Sequence, residues 1–220
     1  MSHLDYKLLI FDWDGTLANS IGRIVESMHV ASTRSGFDLC SDFAVKGIIG
    51  LGLPEAIRSL YPEISDAELV AFREHYAAHY IALEAEPSPL FEGVVQSLDA
   101  FRAEGYHLAI ATGKARRGLD RVLKAHGWDD YFDITRAADE TASKPHPLML
   151  EQIVAHCGVS PRQALMVGDA SFDLMMARNA GMDSVAVSYG AQSAEALQRY
   201  EPRLTIDHFS ELQAWLSRAQ

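Results

Sequence analysis

A series of short apolar runs, each broken off by a polar or glycine-containing turn, constrains this chain more than any other feature. Lys7-Leu8-Leu9-Ile10-Phe11 ends in Asp-Trp-Asp-Gly-Thr, and His107-Leu108-Ala109-Ile110-Ala111 ends in Thr-Gly-Lys. Ala164-Leu165-Met166-Val167 ends in Gly-Asp, and Ser184-Val185-Ala186-Val187 in Ser-Tyr-Gly. Continuous apolar runs of this length suit strands buried on both faces, as in a parallel sheet. Between them apolar residues recur at helical spacing: Val94, Val95, Leu98 and Phe101; Leu119, Val122 and Leu123; Leu150, Ile153, Val154 and Cys157. These stripes stop at Gly105, Gly127 and Gly158, where a left-handed residue closes a helix. The alternation predicts an α/β fold, a doubly wound parallel sheet with right-handed crossovers.

Residues 19–86 interrupt the alternation. Ile21, Ile24, Val25 and Met28 keep helical spacing up to Gly36. Ser65-Asp66-Ala67-Glu68 reads as a capping box ahead of Leu69, Phe72, Tyr76, Tyr80 and Leu83. Glu86-Pro87-Ser88-Pro89 resists helix and reads as the hinge back. The expected organisation is an all-helical insertion at 19–86, placed after the first strand, and an α/β domain made of 1–18 and 87–220. Such an insertion would sit over the C-terminal edge of the sheet, where open α/β sheets bind ligands.

At 220 residues, the chain can bury a full core without cross-links. Its formal charge of −11 argues against nucleic acid and against anionic membranes as partners. A small anionic substrate stays open, because a metal ion reverses the local sign. Cys40 and Cys157 form no CxxC pair, which favours a reducing compartment. Residues 1–6 carry no basic leader, and the apolar stretch 8–11 is too short to cross a membrane. The expectation is a cytoplasmic protein, a monomer or a homodimer.

The chemistry-bearing residues cluster at the predicted strand ends. Asp12 and Asp14 flank Trp13 directly after the first strand, a costly pair unless a cation or proton intervenes. Thr112-Gly113 offers a hydroxyl and an N–H after the second. Lys144 lies in a turn-rich stretch, and Asp169 and Asp173 follow a third strand. Each alone has a structural reading: an Asx-turn, a helix N-cap, a solvated lysine, a capped helix. In one parallel sheet their ends converge, so with one of Asp169 and Asp173 serving as the helix cap, three carboxylates, a hydroxyl with an N–H, and a lysine surround one point. Oxygen donors of this kind suit Mg²⁺.

With these motifs in this order, the chain resembles the haloacid dehalogenase superfamily of phosphohydrolases from Phe11 to Tyr189. The segments Phe91-Glu92-Gly93-Val94, Ala111-Thr112-Gly113-Lys114 and Asn179-Ala180-Gly181-Met182 look most like its phosphoglycolate phosphatase-like branch. The resemblance implies that the insertion is a small cap domain. It implies Asp12 as the nucleophile forming an aspartyl-phosphate and Asp14 as the general acid and base. Mg²⁺ would be held by Asp12, the Asp14 carbonyl and Asp169, with Asp173 orienting the site from behind. Thr112, Gly113 and Lys144 would hold the phosphoryl group. Asn19 departs from the aspartate usual there, and Trp13 is a bulky variant.

The expected activity is therefore hydrolysis of a small phosphorylated metabolite. Phosphoglycolate comes first, and pyrophosphate, a sugar phosphate or a β-phosphoglucomutase-like transfer follow. A phosphate-binding regulatory module is the non-enzymatic alternative. The glycine-rich stretch 47–54 does not fit GxGxxG; in the resemblance it corresponds to a cap loop facing substrate, with Arg58 or Arg23 as possible contacts. His75 and His79 lack HExxH and are read as an exposed helix face. No GxSxG elbow occurs.

Overall fold

The structure, a computed structural model, describes residues 5–219. The six strands are β1 (Leu8–Phe11), β2 (His107–Ala111), β3 (Ile134–Arg136), β4 (Ala164–Gly168), β5 (Asp183–Val187) and β6 (Leu204–Ile206). They form one parallel sheet in the order β3-β2-β1-β4-β5-β6. The chain reverses direction across the sheet between β1 and β4, so their C-terminal ends flank the crevice where such sheets bind ligands.

Strand geometry sends alternate side chains to opposite faces, and both faces are covered. Leu9 and Phe11 of β1 join a core with Val94, Leu98 and Phe101 of α5 (Val94–Ala103) and Leu119 and Leu123 of α6 (Arg116–Ala125). Leu8 and Ile10 pack on the other side, against Leu150 and Ile153 of α7 (Leu148–Cys157) and Met176 of α8 (Ser171–Asn179). Burial on both faces is why β1 reads as an unbroken apolar run. Short α9 (Ala194–Gln198) and α10 (Ser210–Ala219) complete the layers. The glycines at 105, 127 and 158 all take positive φ, as the helix-stop reading requires.

Between β1 and α5 lie α1 (Ile21–Ser35), α2 (Asp42–Lys46), α3 (Leu53–Leu60) and α4 (Asp66–Leu83). They bury an apolar cluster of their own, with Ile24, Val25 and Met28 of α1 against Leu69 and Phe72 of α4. The α4 capping box forms: Ser65 Oγ accepts from Glu68 N–H at 3.3 Å and Ser65 N–H donates to Glu68 Oε2 at 2.9 Å. The two chain crossings run side by side: Asn19 N–H donates to the Pro89 carbonyl at 2.8 Å and Phe91 N–H to the Leu17 carbonyl at 2.9 Å. Among the described residues, no helix is long and apolar enough to cross a membrane.

The histidine pair differs from its expectation. His75 and His79 are half-buried, because α4 packs its length on α1. His75 Nδ1 lies 3.0 Å from Ser35 Oγ, and His79 Nε2 lies 2.9 Å from Glu26 Oε1.

Candidate active site

The register sets Phe11 beside Val167 and Ile110, so Asp12, Gly168 and Ala111 stand level at the strand ends. Asp12 N–H donates to the Val167 carbonyl at 3.0 Å, continuing the ladder one residue past β1. Its side chain is thereby fixed at the crevice, 1% exposed. Lys144, fully buried and preceding a cis Lys144–Pro145 peptide, donates to Asp12 Oδ1 at 2.7 Å and to Asp173 Oδ1 at 2.6 Å. Asp173 Oδ2 accepts from the Ala170 N–H at 3.1 Å, so this residue both caps α8 and holds the lysine.

Asp169 follows β4, with Oδ2 accepting from Ala191 N–H at 2.6 Å and Oδ1 from Thr16 Oγ1 at 3.2 Å. One carboxylate oxygen each from Asp12, Asp169 and Asp173 lies within 4.8 Å of the other two. The backbone has been shaped around this cluster: Gly15 sits at φ 83°, and a Cβ there would overlap the Asp169 carboxylate.

The electrostatics of the cluster are unbalanced. Burial pushes the Asp12 carboxyl up to about 7, with Lys144 pulling down and Asp173 and Asp14 pushing further up. Asp169 is likewise driven well above the ordinary range by burial and by Asp12 and Asp173. Burial works against the Lys144 ammonium, yet Asp12 and Asp173 hold its pKa above that of an ordinary lysine. One cation therefore answers three buried carboxylates, and Asp12 Oδ2 is buried with no hydrogen-bond partner. Hard oxygen donors, surplus negative charge and an orphaned carboxylate oxygen fit a divalent cation of the Mg²⁺ kind.

Asp14 sits apart from this cluster. Its Oδ1 accepts from Ser20 Oγ at 2.6 Å and pairs with Lys114 Nζ at 3.1 Å. Lys114 Nζ also donates to the Tyr80 hydroxyl of α4 at 3.0 Å and lies 4.6 Å from the centre of its ring. Asp14 and Tyr80, from the two parts of the chain, thus meet on one ammonium.

Thr112 is buried, and its Oγ1 accepts from the Lys114 N–H at 3.2 Å. Gly113, Asp12 and Asp14 line a cavity of about 280 Å³ whose other wall is the helical insertion. A Cβ on Gly113 would press on the carbonyl oxygens of Leu51 and Gly50, and Gly52 N–H donates to Ser143 Oγ at 2.8 Å. The glycine-rich stretch thus docks over the sheet edge at Gly113 and Ser143.

Two expectations fail. Arg23 and Arg58 do not line the cavity. Arg23 Nη1 donates to the carbonyls of Leu83 (3.0 Å) and Glu86, satisfying the end of α4. Arg58 pairs with Asp66 at 2.5 Å. The sequence reading in turn missed Lys114 and Ser20 as partners of Asp14. Their signal was position: Lys114 directly follows Thr112-Gly113, and Ser20 lies six residues past Asp14.

The family model for haloacid dehalogenase-like hydrolases matches residues 9–187. The chain belongs to this family. A protein of Dickeya dadantii (strain 3937) named Probable phosphatase IndB is 34% identical over 209 residues, spanning 93% of this chain and 91% of its own length. A phosphoglycolate phosphatase of Vibrio vulnificus (strain YJ016) is 30% identical over 220 residues, with 96% of each chain covered. The crystal structure described as a predicted phosphoglycolate phosphatase from Haemophilus somnus 129pt superposes with a TM-score of 0.82 at 27% identity, covering 96% of this chain and 98% of that one. The superposition bears out the α/β fold, a Rossmann-like parallel sheet with helices on its faces.

Proposed function

We propose that this chain is a Mg²⁺-dependent phosphomonoesterase acting on a small phosphorylated metabolite through an aspartyl-phosphate on Asp12. The observation that carries the reading is the orphaned Oδ2 of Asp12, buried beside Lys144 at the mouth shared with Asp14.

The Asp12 carboxylate attacks phosphorus: a bond forms from its oxygen to phosphorus and the bond to the leaving oxygen breaks. Asp14 delivers a proton to that oxygen, then takes one from the water that hydrolyses the aspartyl-phosphate. Lys144, fixed by Asp173, lowers the repulsion between carboxylate and phosphate and keeps Asp12 in line. Thr112 and the Gly113 N–H hold phosphoryl oxygens. Asp12, Asp169 and the Asp14 carbonyl would hold Mg²⁺, with Asp173 behind, and the bound ion supplies charge neutralisation.

Such division of labour matches the difficulty of the reaction. Phosphate monoester hydrolysis calls for accelerations of up to ~10²¹, and one acid or base supplies roughly 10²–10⁴. Positioning and charge neutralisation must carry most of the rest.

Residues 19–86 act as a cap domain over 1–18 and 87–220, a division supported by the separate apolar cluster of α1–α4. Two unpaired cysteines favour a cytoplasmic setting. The test is a screen of phosphorylated metabolites with and without Mg²⁺, pyrophosphate and β-glucose 1-phosphate included, with product analysis to separate hydrolysis from transfer. Turnover of phosphomonoesters that stops on chelation supports the reading; no turnover of any ester refutes it.

A further inference from the structure

The insertion gives the cavity an apolar wall. Ile24 and Met28 of α1, Ile48, Leu53, and Tyr76 and Tyr80 of α4 line it. The two tyrosine rings lie nearly parallel and offset along α4, centroids 5.7 Å apart and planes 15° apart. At about 280 Å³, near the lower end of the roughly 300–1,000 Å³ usual for small-molecule sites, the space takes a phosphoryl group and one compact alcohol.

The cations around this wall are already engaged. Lys114 is paired with Asp14 and bonded to Tyr80. Arg121 Nε donates to Glu84 Oε2 at 2.5 Å, and Arg23 and Arg58 are tied outside the cavity. Among the described cationic side chains lining the cavity, Arg117 remains, solvent-exposed in the first turn of α6 at the rim. A second anionic group on the substrate, such as a carboxylate, set against the apolar wall away from Arg117 and Lys114 would have no cation beside it, which is costly.

We infer that the substrate's alcohol is neutral and largely apolar, with a flat face that lies against Tyr76 and Tyr80. This rests on the phosphomonoesterase reading and narrows its substrate class. Apolar burial then supplies the selectivity, and a doubly anionic ester such as phosphoglycolate is the poorer substrate.

The test compares benzyl phosphate with 2-phosphoglycolate at saturating Mg²⁺. Both release a primary alkoxide, so intrinsic leaving-group ability is similar and the difference reports the pocket. The expected result is a kcat/KM at least roughly tenfold higher for benzyl phosphate, about 1.4 kcal/mol. Ile81→Arg, a half-exposed cavity position on α4, should narrow or reverse that ratio by adding a free cation. Equal or better use of phosphoglycolate by the native chain overturns the inference. If Arg117→Ala then selectively removes that activity, the rim arginine serves a second anion instead. Should neither ester turn over, the metabolite screen decides the phosphomonoesterase reading separately. Calorimetric Kd values for benzylphosphonate and phosphonoacetate with Mg²⁺ then judge the pocket: tighter benzylphosphonate upholds the apolar alcohol, and equal or weaker binding rejects it.

Discussion

Lys144 Nζ lies 2.7 Å from Asp12 Oδ1, with neither side chain open to water. A buried ammonium is tolerated only when its charge is answered on several sides, and Asp173 supplies the second contact at 2.6 Å. The pair joins the end of β1 to the loop before α7, so the orientation of the Asp12 carboxylate depends on a residue 132 positions away in sequence.

Removing the lysine leaves buried carboxylates unpaired. Lys144→Met should destabilise the metal-free protein by about 3–5 kcal/mol, lowering Tm by roughly 6–20 °C for a chain of this size. Differential scanning calorimetry in chelator checks this. A Tm within a degree or so of wild type would mean the ion pair contributes nothing to stability.

Gly15 cannot carry a side chain without moving Asp169. Gly15→Ala should cost about 1–3 kcal/mol from its positive φ alone, and should weaken the rise in Tm expected of the wild type on adding Mg²⁺, because the added Cβ falls on the Asp169 carboxylate. Thermal melts across a Mg²⁺ titration read both effects.

Lys114 and Tyr80 should be energetically coupled. Tyr80→Phe removes the hydroxyl that accepts from Nζ, and Lys114→Met removes both that contact and the Asp14 ion pair. A double-mutant cycle on kcat/KM should give a coupling energy of about 0.5–3 kcal/mol. Additive effects would show that α4 and the Asp14 loop act independently.

The sheet edge near Asp133 gives a pH-dependent prediction away from the site. Partial burial raises its carboxyl, but the Leu108 N–H at 2.8 Å and His107 at 3.0 Å together hold it below the ordinary aspartate value. A depressed folded pKa contributes stability above the unfolded value of 3.8, lost as pH falls through the lower folded one. Asp133→Asn should therefore lower Tm at pH 7, with an effect that shrinks at a pH taken below the unfolded value of 3.8. Its side chain is 39% exposed, so screening keeps the contribution under about 1 kcal/mol, or roughly 2–4 °C. Equal effects at both pH values would contradict the linkage.

The legibility of the sequence followed burial. Strands β1, β2, β4 and β5 are covered on both faces and appear as apolar runs. Strands β3 and β6 are three-residue edges carrying Thr135, Arg136 and Thr205, too short and polar to stand out. At the site, Asp12, Asp169 and Lys144 could be grouped because they follow strand ends or connecting loops of one sheet edge. Lys114 was hidden: a lysine in a turn looks solvated until α4 brings Tyr80 over it. Arg23 and Arg58 were misread for the matching reason, since the packing that turns one toward the end of α4 and the other toward Asp66 is tertiary and leaves no local pattern.

The most direct test of the central claim is acid quench of the wild-type enzyme, milliseconds after mixing with Mg²⁺ and a ³²P-labelled phosphomonoester it turns over, followed by peptide mapping. The label should appear on the peptide containing Asp12 at a substantial fraction of enzyme, and Asp12→Asn should retain the fold but lose both label and turnover. Rapid turnover with no label on Asp12, or undiminished activity in Asp12→Asn, would contradict the account.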